Sequence, residues 1–98
     1  MDRNKILEEL LLKKTGRTFS GSSIWEEIER AAGETGEGSH WIAGQDNTLE
    51  KCEYYVEIKR SYDPDFDQWE TSISLEEIKI TDKKTGESVY VLVHGAEL

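Results

Sequence analysis

The hydrophobic period of this chain changes once, and that change limits what it can fold into. Up to about residue 33 the apolar residues recur at helical spacing, and from about residue 51 they alternate one by one. Helices therefore come first and strands follow. The pattern predicts an α+β fold in which two N-terminal helices pack on one face of an antiparallel sheet of about four strands. With 98 residues the chain is long enough for one modest core, so residues 1–98 are read as a single domain.

The first helix is expected near 3–15. Ile6, Leu7, Leu10 and Leu11 fall within about 140° of arc at helical spacing, a stripe that faces a core, while Leu12 lies off it beside Glu8. Asp2 suits an N-cap, and Gly16 suits a left-handed close. The second helix is expected near 23–32. Ser23 with Glu26 fits a capping box, and Ile24, Trp25, Ile28, Ala31 and Ala32 cover about 120° opposite a charged face. Gly33 ends it.

Strands are expected near 51–61, 68–75, 78–82 and 87–94, and segment 40–44 is compatible with a further short one. Cys52, Tyr54, Val56 and Ile58 alternate with Glu53, Tyr55, Glu57 and Lys59. Trp69, Thr71 and Ile73 hold odd positions, but Ile78 and Ile80 hold even ones, so a bulge or turn is required near Glu76–Glu77. In the last strand Val89, Val91 and Val93 share one face, with Tyr90 and Leu92 on the other and His94 continuing theirs. Apolar on both faces, it reads as an inner strand, or as one whose outer face meets a partner. Register selects the turns. A loop at 83–86 sets Ile80 opposite Val89 and Ile78 opposite Val91, and a loop at 63–66 sets Ile58 opposite Thr71 and Val56 opposite Ile73.

Charge narrows the function. Twelve basic residues against twenty-one acidic ones give a net charge of −9, which argues against direct nucleic-acid binding, whose footprint is a basic patch. Residues 1–20 carry +2, so residues 21–98 carry −11. No apolar run approaches the ~18 residues of a membrane helix, and the N-terminal stretch reads as an amphipathic helix and not a signal peptide. The lone Cys52 has no intramolecular disulfide partner, which fits a reducing, cytoplasmic setting.

Few constellations suggest chemistry. Asp63, Asp65 and Asp67 with Glu70 open like a calcium loop, but Gln68 stands where the turn glycine belongs and Ser74 where the closing glutamate belongs. These four residues form at most a weak cation loop, and an acidic hairpin turn started by Asp63-Pro64 is the better reading. The run Gly16–Ser23 echoes a phosphate loop without its lysine. Cys52 lies on an apolar strand face, which favours packing over nucleophilic duty. Two histidines and one cysteine fall short of a structural zinc site. No catalytic site, cofactor or metal centre is read here.

The remaining signal is interaction. Trp25 and Trp69 are assigned to the core, whereas Trp41, in a glycine-flanked stretch, suits an exposed anchor. Tyr55, Tyr90 and Leu92 occupy faces opposite the expected core, and if those faces coincide they form an apolar patch rimmed by Glu53, Glu57 and Lys59. The sequence thus points to a small acidic, non-enzymatic domain that binds a protein, with a basic partner favoured by charge. Two alternatives are an acidic inhibitor that mimics nucleic acid, in the manner of immunity proteins or phage antagonists, and a structural protein that self-associates into homo-oligomers through its last strand.

Overall fold

A computed structural model describes residues 3–97, the side chains of 94–97 excepted. Asp2 and the His94 side chain therefore lie outside the described residues. The chain forms α1 (Arg3–Thr15), α2 (Gly21–Ala32), β1 (Gly38–Asp46), β2 (Glu50–Asp63), β3 (Gln68–Asp82) and β4 (Ser88–Glu97). The strands make one antiparallel meander in the order β1-β2-β3-β4, with both helices on one face, as the change of period predicts. Segment 40–44 belongs to the nine-residue β1.

Local chemistry explains most boundaries. Gly16 adopts φ 72° and its N–H donates to the Leu12 carbonyl at 2.8 Å, a left-handed close of α1. The N-cap of α2 is Ser20 and not Ser23: the Ser20 hydroxyl accepts from the Ser23 N–H at 3.3 Å, so the helix begins two residues early. Gly21 is needed there because α1 crosses against it, and a Cβ would sit 2.6 Å from the Asn4 carbonyl oxygen. Gly33 ends α2 in the right-handed region, φ −62°, with its N–H on the Glu29 carbonyl.

The parity break is a bulge inside one long strand. Tyr55 opposes Glu77 and Val56 opposes Leu75, which leaves Glu76 as the extra residue. The two strands expected at 68–75 and 78–82 are therefore both part of β3, and the bulge keeps Ile73, Leu75, Ile78 and Ile80 all facing the helices. The β3–β4 register is the expected one, Ile80 opposite Val89 and Ile78 opposite Val91, with Gly86 at φ 78° in the turn. The β2–β3 register differs by one pairing step: Ile58 opposes Ile73, Val56 opposes Leu75, and the loop is 64–67. Because the slip is by two residues, every side chain keeps its face.

One hydrophobic cluster joins Leu7 and Leu11 of α1, Ile24, Trp25, Ile28 and Ala32 of α2, Phe19 from their connection, and the inward residues of all four strands. Ile6, placed on the core stripe by spacing, is exposed, as is Leu12, so the buried face of α1 is narrower than the pattern suggests. Polar pins fix the helices on the sheet. The Tyr54 hydroxyl, on a wholly buried ring, donates to Glu27 Oε2 at 2.7 Å. The buried Glu50 carboxylate pairs with the Arg17 guanidinium, and Glu8 Oε2 accepts the Gly21 N–H at 2.8 Å.

Gly44 of β1 makes room for Tyr54, since a Cβ there would overlap the ring. Gly44→Ala should destabilise the fold by about 2–3 kcal/mol through overpacking. Gly36→Ala, with open space around it, should stay within about 0.5 kcal/mol. Urea unfolding of the two variants checks this; equal midpoints would contradict the packing described.

Candidate protein-binding surface

The helices leave the second face of the sheet bare. Strand alternation and register bring Trp41 of β1, Glu53, Tyr55 and Glu57 of β2, and Tyr90 and Leu92 of β4 onto that single face. Trp41 lies opposite Tyr55, with ring centroids 5.1 Å apart and planes tilted by 43°. The next position along that row is Glu77 of β3, and then Leu92. One row over, Glu53 opposes Lys79, which opposes Tyr90.

The apolar groups therefore form two halves and not one patch. Trp41 with Tyr55 lies on the β1–β2 side, and Tyr90 with Leu92 on β4, with Glu77 and Lys79 between them. Glu53 is accordingly interior to the surface and not on its rim: its carboxylate lies 4.0 Å from the Lys79 ammonium, which also sits 5.7 Å from the Tyr90 ring. Glu57 pairs with Lys59 at 3.3 Å, an exposed contact worth little energetically. Trp41, Tyr90 and Leu92 are all about half exposed, at 46%, 53% and 57%. Strand β4 is an edge strand and not an inner one, and its outer face is exposed at Tyr90 and Leu92 because the helices pack on the other face.

Trp69 corrects the expected core. Its odd position does place it on the helix-side face, but it is 70% exposed because β2 and β3 run past the end of the helical layer. Pairing with β1 ends at Ile58 and pairing with β4 ends at Ser74, so among the described residues, 59–63 and 68–72 pair only with each other as a two-stranded ribbon. Tyr62 lies opposite Trp69 with ring centroids 5.5 Å apart, and Phe66 at the tip is 73% exposed. Neither Tyr62 nor Phe66 is singled out by the sequence pattern. The signal lies in element length: helices of 12 and 13 residues span roughly 20 Å, whereas the 15-residue β3 spans roughly 50 Å.

The aspartates at the tip do not converge on a cation position. Asp63 Oδ1 accepts the Asp65 N–H at 3.0 Å, Asp67 accepts from the Tyr62 hydroxyl, and no group of three or more potential metal ligands occurs among the described residues. The Asp67 carboxylate raises the Tyr62 phenol above its ordinary pKa. At the opposite end of the sheet, Lys83 holds the Asp46 carboxyl below its usual range through a hydrogen bond. The anion position at the start of α2 is taken by the chain's own Glu8.

Cys52 is buried on the helix-side face, and desolvation, aided by the nearby Glu27 carboxylate and opposed by Arg17, pushes its thiol up to about 11. Burial and a raised pKa both favour packing over nucleophilic duty for this thiol. No protein-family model, curated protein or solved structure matches this chain. Among the described residues, no helix is long and apolar enough to cross a membrane.

A thiol reagent at pH 8 should therefore modify Cys52 only as fast as the protein unfolds, and urea should accelerate the reaction in step with loss of circular dichroism. Alkali should destabilise the fold between about pH 9 and 11, since the unfolded thiol loses its proton from the ordinary 9.0 upward while the folded one keeps it to about 11. Rapid stoichiometric modification in native buffer would contradict this burial.

Proposed function

We propose that this chain is a small, non-enzymatic protein-binding domain that docks a basic partner. The observation that carries the reading is the one-sided cover of the sheet: the bare face holds Trp41, Tyr55, Tyr90 and Leu92 among Glu53, Glu57 and Glu77. Exposed aromatic anchors set among charges have the composition of an interface. The acidic groups act at longer range. At physiological salt their field extends about 8 Å, enough to steer an oppositely charged partner but not to hold it, so the aromatic groups supply the short-range affinity. Most acids are exposed or half-buried, and only Glu50 among the described ones is buried. The nucleic-acid mimic is the same reading with a partner whose basic cleft ordinarily takes a polyanion.

One observation favours a second reading. Among the described residues nothing pairs with the outer edge of β4, and Ser88–Val93 contains no charge and no proline to guard it. A second copy pairing on this edge would extend the sheet. Sedimentation equilibrium decides between a monomer and a dimer that Leu92→Lys dissociates.

For the main reading, a partner captured from host lysate by photo-crosslinking at position 55 supplies the binding assay. Raising salt, or reversing charge with Glu53→Lys and Glu57→Lys, should slow association far more than it speeds dissociation, whereas Tyr55→Ala should chiefly raise the dissociation rate. Association insensitive to both salt and charge reversal would leave the acidic surface as a solubility feature alone.

A further inference from the structure

We infer that the β2–β3 ribbon is a docking arm whose aromatic face receives an arginine-bearing segment of the partner protein. The inference rests on the reading that this chain binds a basic protein, and it moves the principal anchor from the sheet face to the ribbon.

The aromatic face comes first. Tyr62, Phe66 and Trp69 stand outside the helical layer, and Phe66 and Trp69 are more exposed than any of the aromatic groups on the sheet face. The Tyr62–Trp69 contact helps to hold the ribbon as a cross-strand aromatic pair, yet it leaves Trp69 70% and Phe66 73% exposed. Large exposed aromatic groups on a projecting element lose little by remaining in place and gain most on being covered.

Shape and rigidity come next. Pairs Ile58–Ile73, Arg60–Thr71 and Tyr62–Trp69 lie on one face of the ribbon, the face that meets the end of α2. Where they meet is a cavity of about 300 Å³ lined by Glu29, Ala32, Gly33, Arg60, Thr71 and Ile73. The Tyr62–Trp69 pair continues this recess outward along the ribbon, giving a step with an aromatic wall. The tip is held by the Asp63–Asp65 turn, by Asp67 at φ 49° and by the Tyr62 hydroxyl on Asp67. A pre-ordered arm loses little conformational entropy on binding.

Charge selects the occupant. Residues 61–70 contain Asp63, Asp65, Asp67 and Glu70 and no basic residue; Asp67 accepts from Tyr62 beside the aromatic pair, while Asp63 and Glu70, on the other face of the ribbon, contribute only at longer range. Of the two cations at the ribbon base, Lys59 pairs with Glu57 on the other face, while Arg60 lines the recess beside Glu29 with its Nη2 on the Thr35 carbonyl at 3.1 Å, so the position for a further cation is the aromatic step beyond Arg60, nearer the acidic tip. Glu29 and the carbonyl end of α2 add negative potential to the recess. A cationic group that also covers an indole face fits both requirements. Arginine does so better than lysine, because its planar, weakly hydrated guanidinium stacks on aromatic rings.

The three tryptophans make the test direct. Trp25 is in the core, Trp41 on the sheet face and Trp69 on the ribbon, so their indole N–H resonances report on three separate places. In a titration of the full chain with a deca-arginine peptide at 0.15 M salt, the Trp69 signal should shift saturably while Trp25 and Trp41 stay still. Trp69→Ala, which leaves the core untouched, should weaken binding about fivefold, and Trp69→Phe should recover part of the loss. Deca-lysine should bind more weakly than deca-arginine. A saturable shift at Trp41 alone would overturn the ribbon as the site yet leave the protein-binding reading standing. Equal binding of both peptides, unaffected by Trp69→Ala, would reduce the arm to a nonspecific charge effect and overturn the inference. No saturable shift at any of the three would overturn the inference and count against the binding reading as well.

Discussion

Two short helices cannot cover a long sheet, and most of the molecule follows from that mismatch. The helices shield one face over roughly 20 Å, while β2 and β3 run through the full 50 Å long axis of the molecule. Where helix and strand overlap, alternation buries Cys52, Tyr54, Val56 and Ile58 completely. Where the strands outrun the helices, the same alternation leaves Trp69 and Tyr62 in solvent. The bare outer face and the bare ribbon share a cause: apolar side chains are present beyond the area that this chain's own helices can cover.

The covered part is fixed by polar contacts as well as by packing. A buried carboxylate or phenol without a partner costs several times more than a paired one contributes, so each pair specifies where its elements must sit. Tyr54 with Glu27 sets α2 over β1 and β2, and Gly44 leaves the space its ring occupies. Glu50 with Arg17 ties the helix connection to the start of β2, where the Asn47 side-chain oxygen also accepts the Leu49 and Glu50 N–H groups. The helices therefore have a preferred position, and the uncovered surface is a reproducible feature of the fold and not a consequence of loose packing.

Much of this is legible in the residues. The order of periods predicts the architecture, and the shift of isoleucines from odd to even positions requires a bulge or a turn near Glu76–Glu77, of which the structure has the bulge. The turn at 83–86 follows from matching faces across it. The outer-face set of Trp41, Tyr55, Tyr90 and Leu92 follows from alternation alone, because face is a local property of a strand. Coverage is not local. Whether Trp69 is buried depends on how far a helix elsewhere in the chain extends, and whether Ile6 is buried depends on the angle at which α1 meets the sheet. The slip of one pairing step in the β2–β3 hairpin is invisible for a related reason: a two-residue shift preserves every face, so patterning does not choose between loops 63–66 and 64–67. Ser20 is missed as a cap because Ser22 and Ser23 offer equivalent chemistry close by.

The claim on which the account turns is that one face of the sheet and the ribbon are uncovered in the free protein. Paramagnetic relaxation by a neutral, water-soluble gadolinium chelate measures this residue by residue on a dilute sample whose mass is monitored in parallel. The account predicts strong relaxation at the side chains of Trp41, Tyr90, Leu92, Tyr62, Phe66 and Trp69, and near silence at Tyr54, Val56, Ile58 and Trp25. Protection of the outer-face or ribbon aromatics in a monomer would contradict it, since that would require the chain to cover these groups itself.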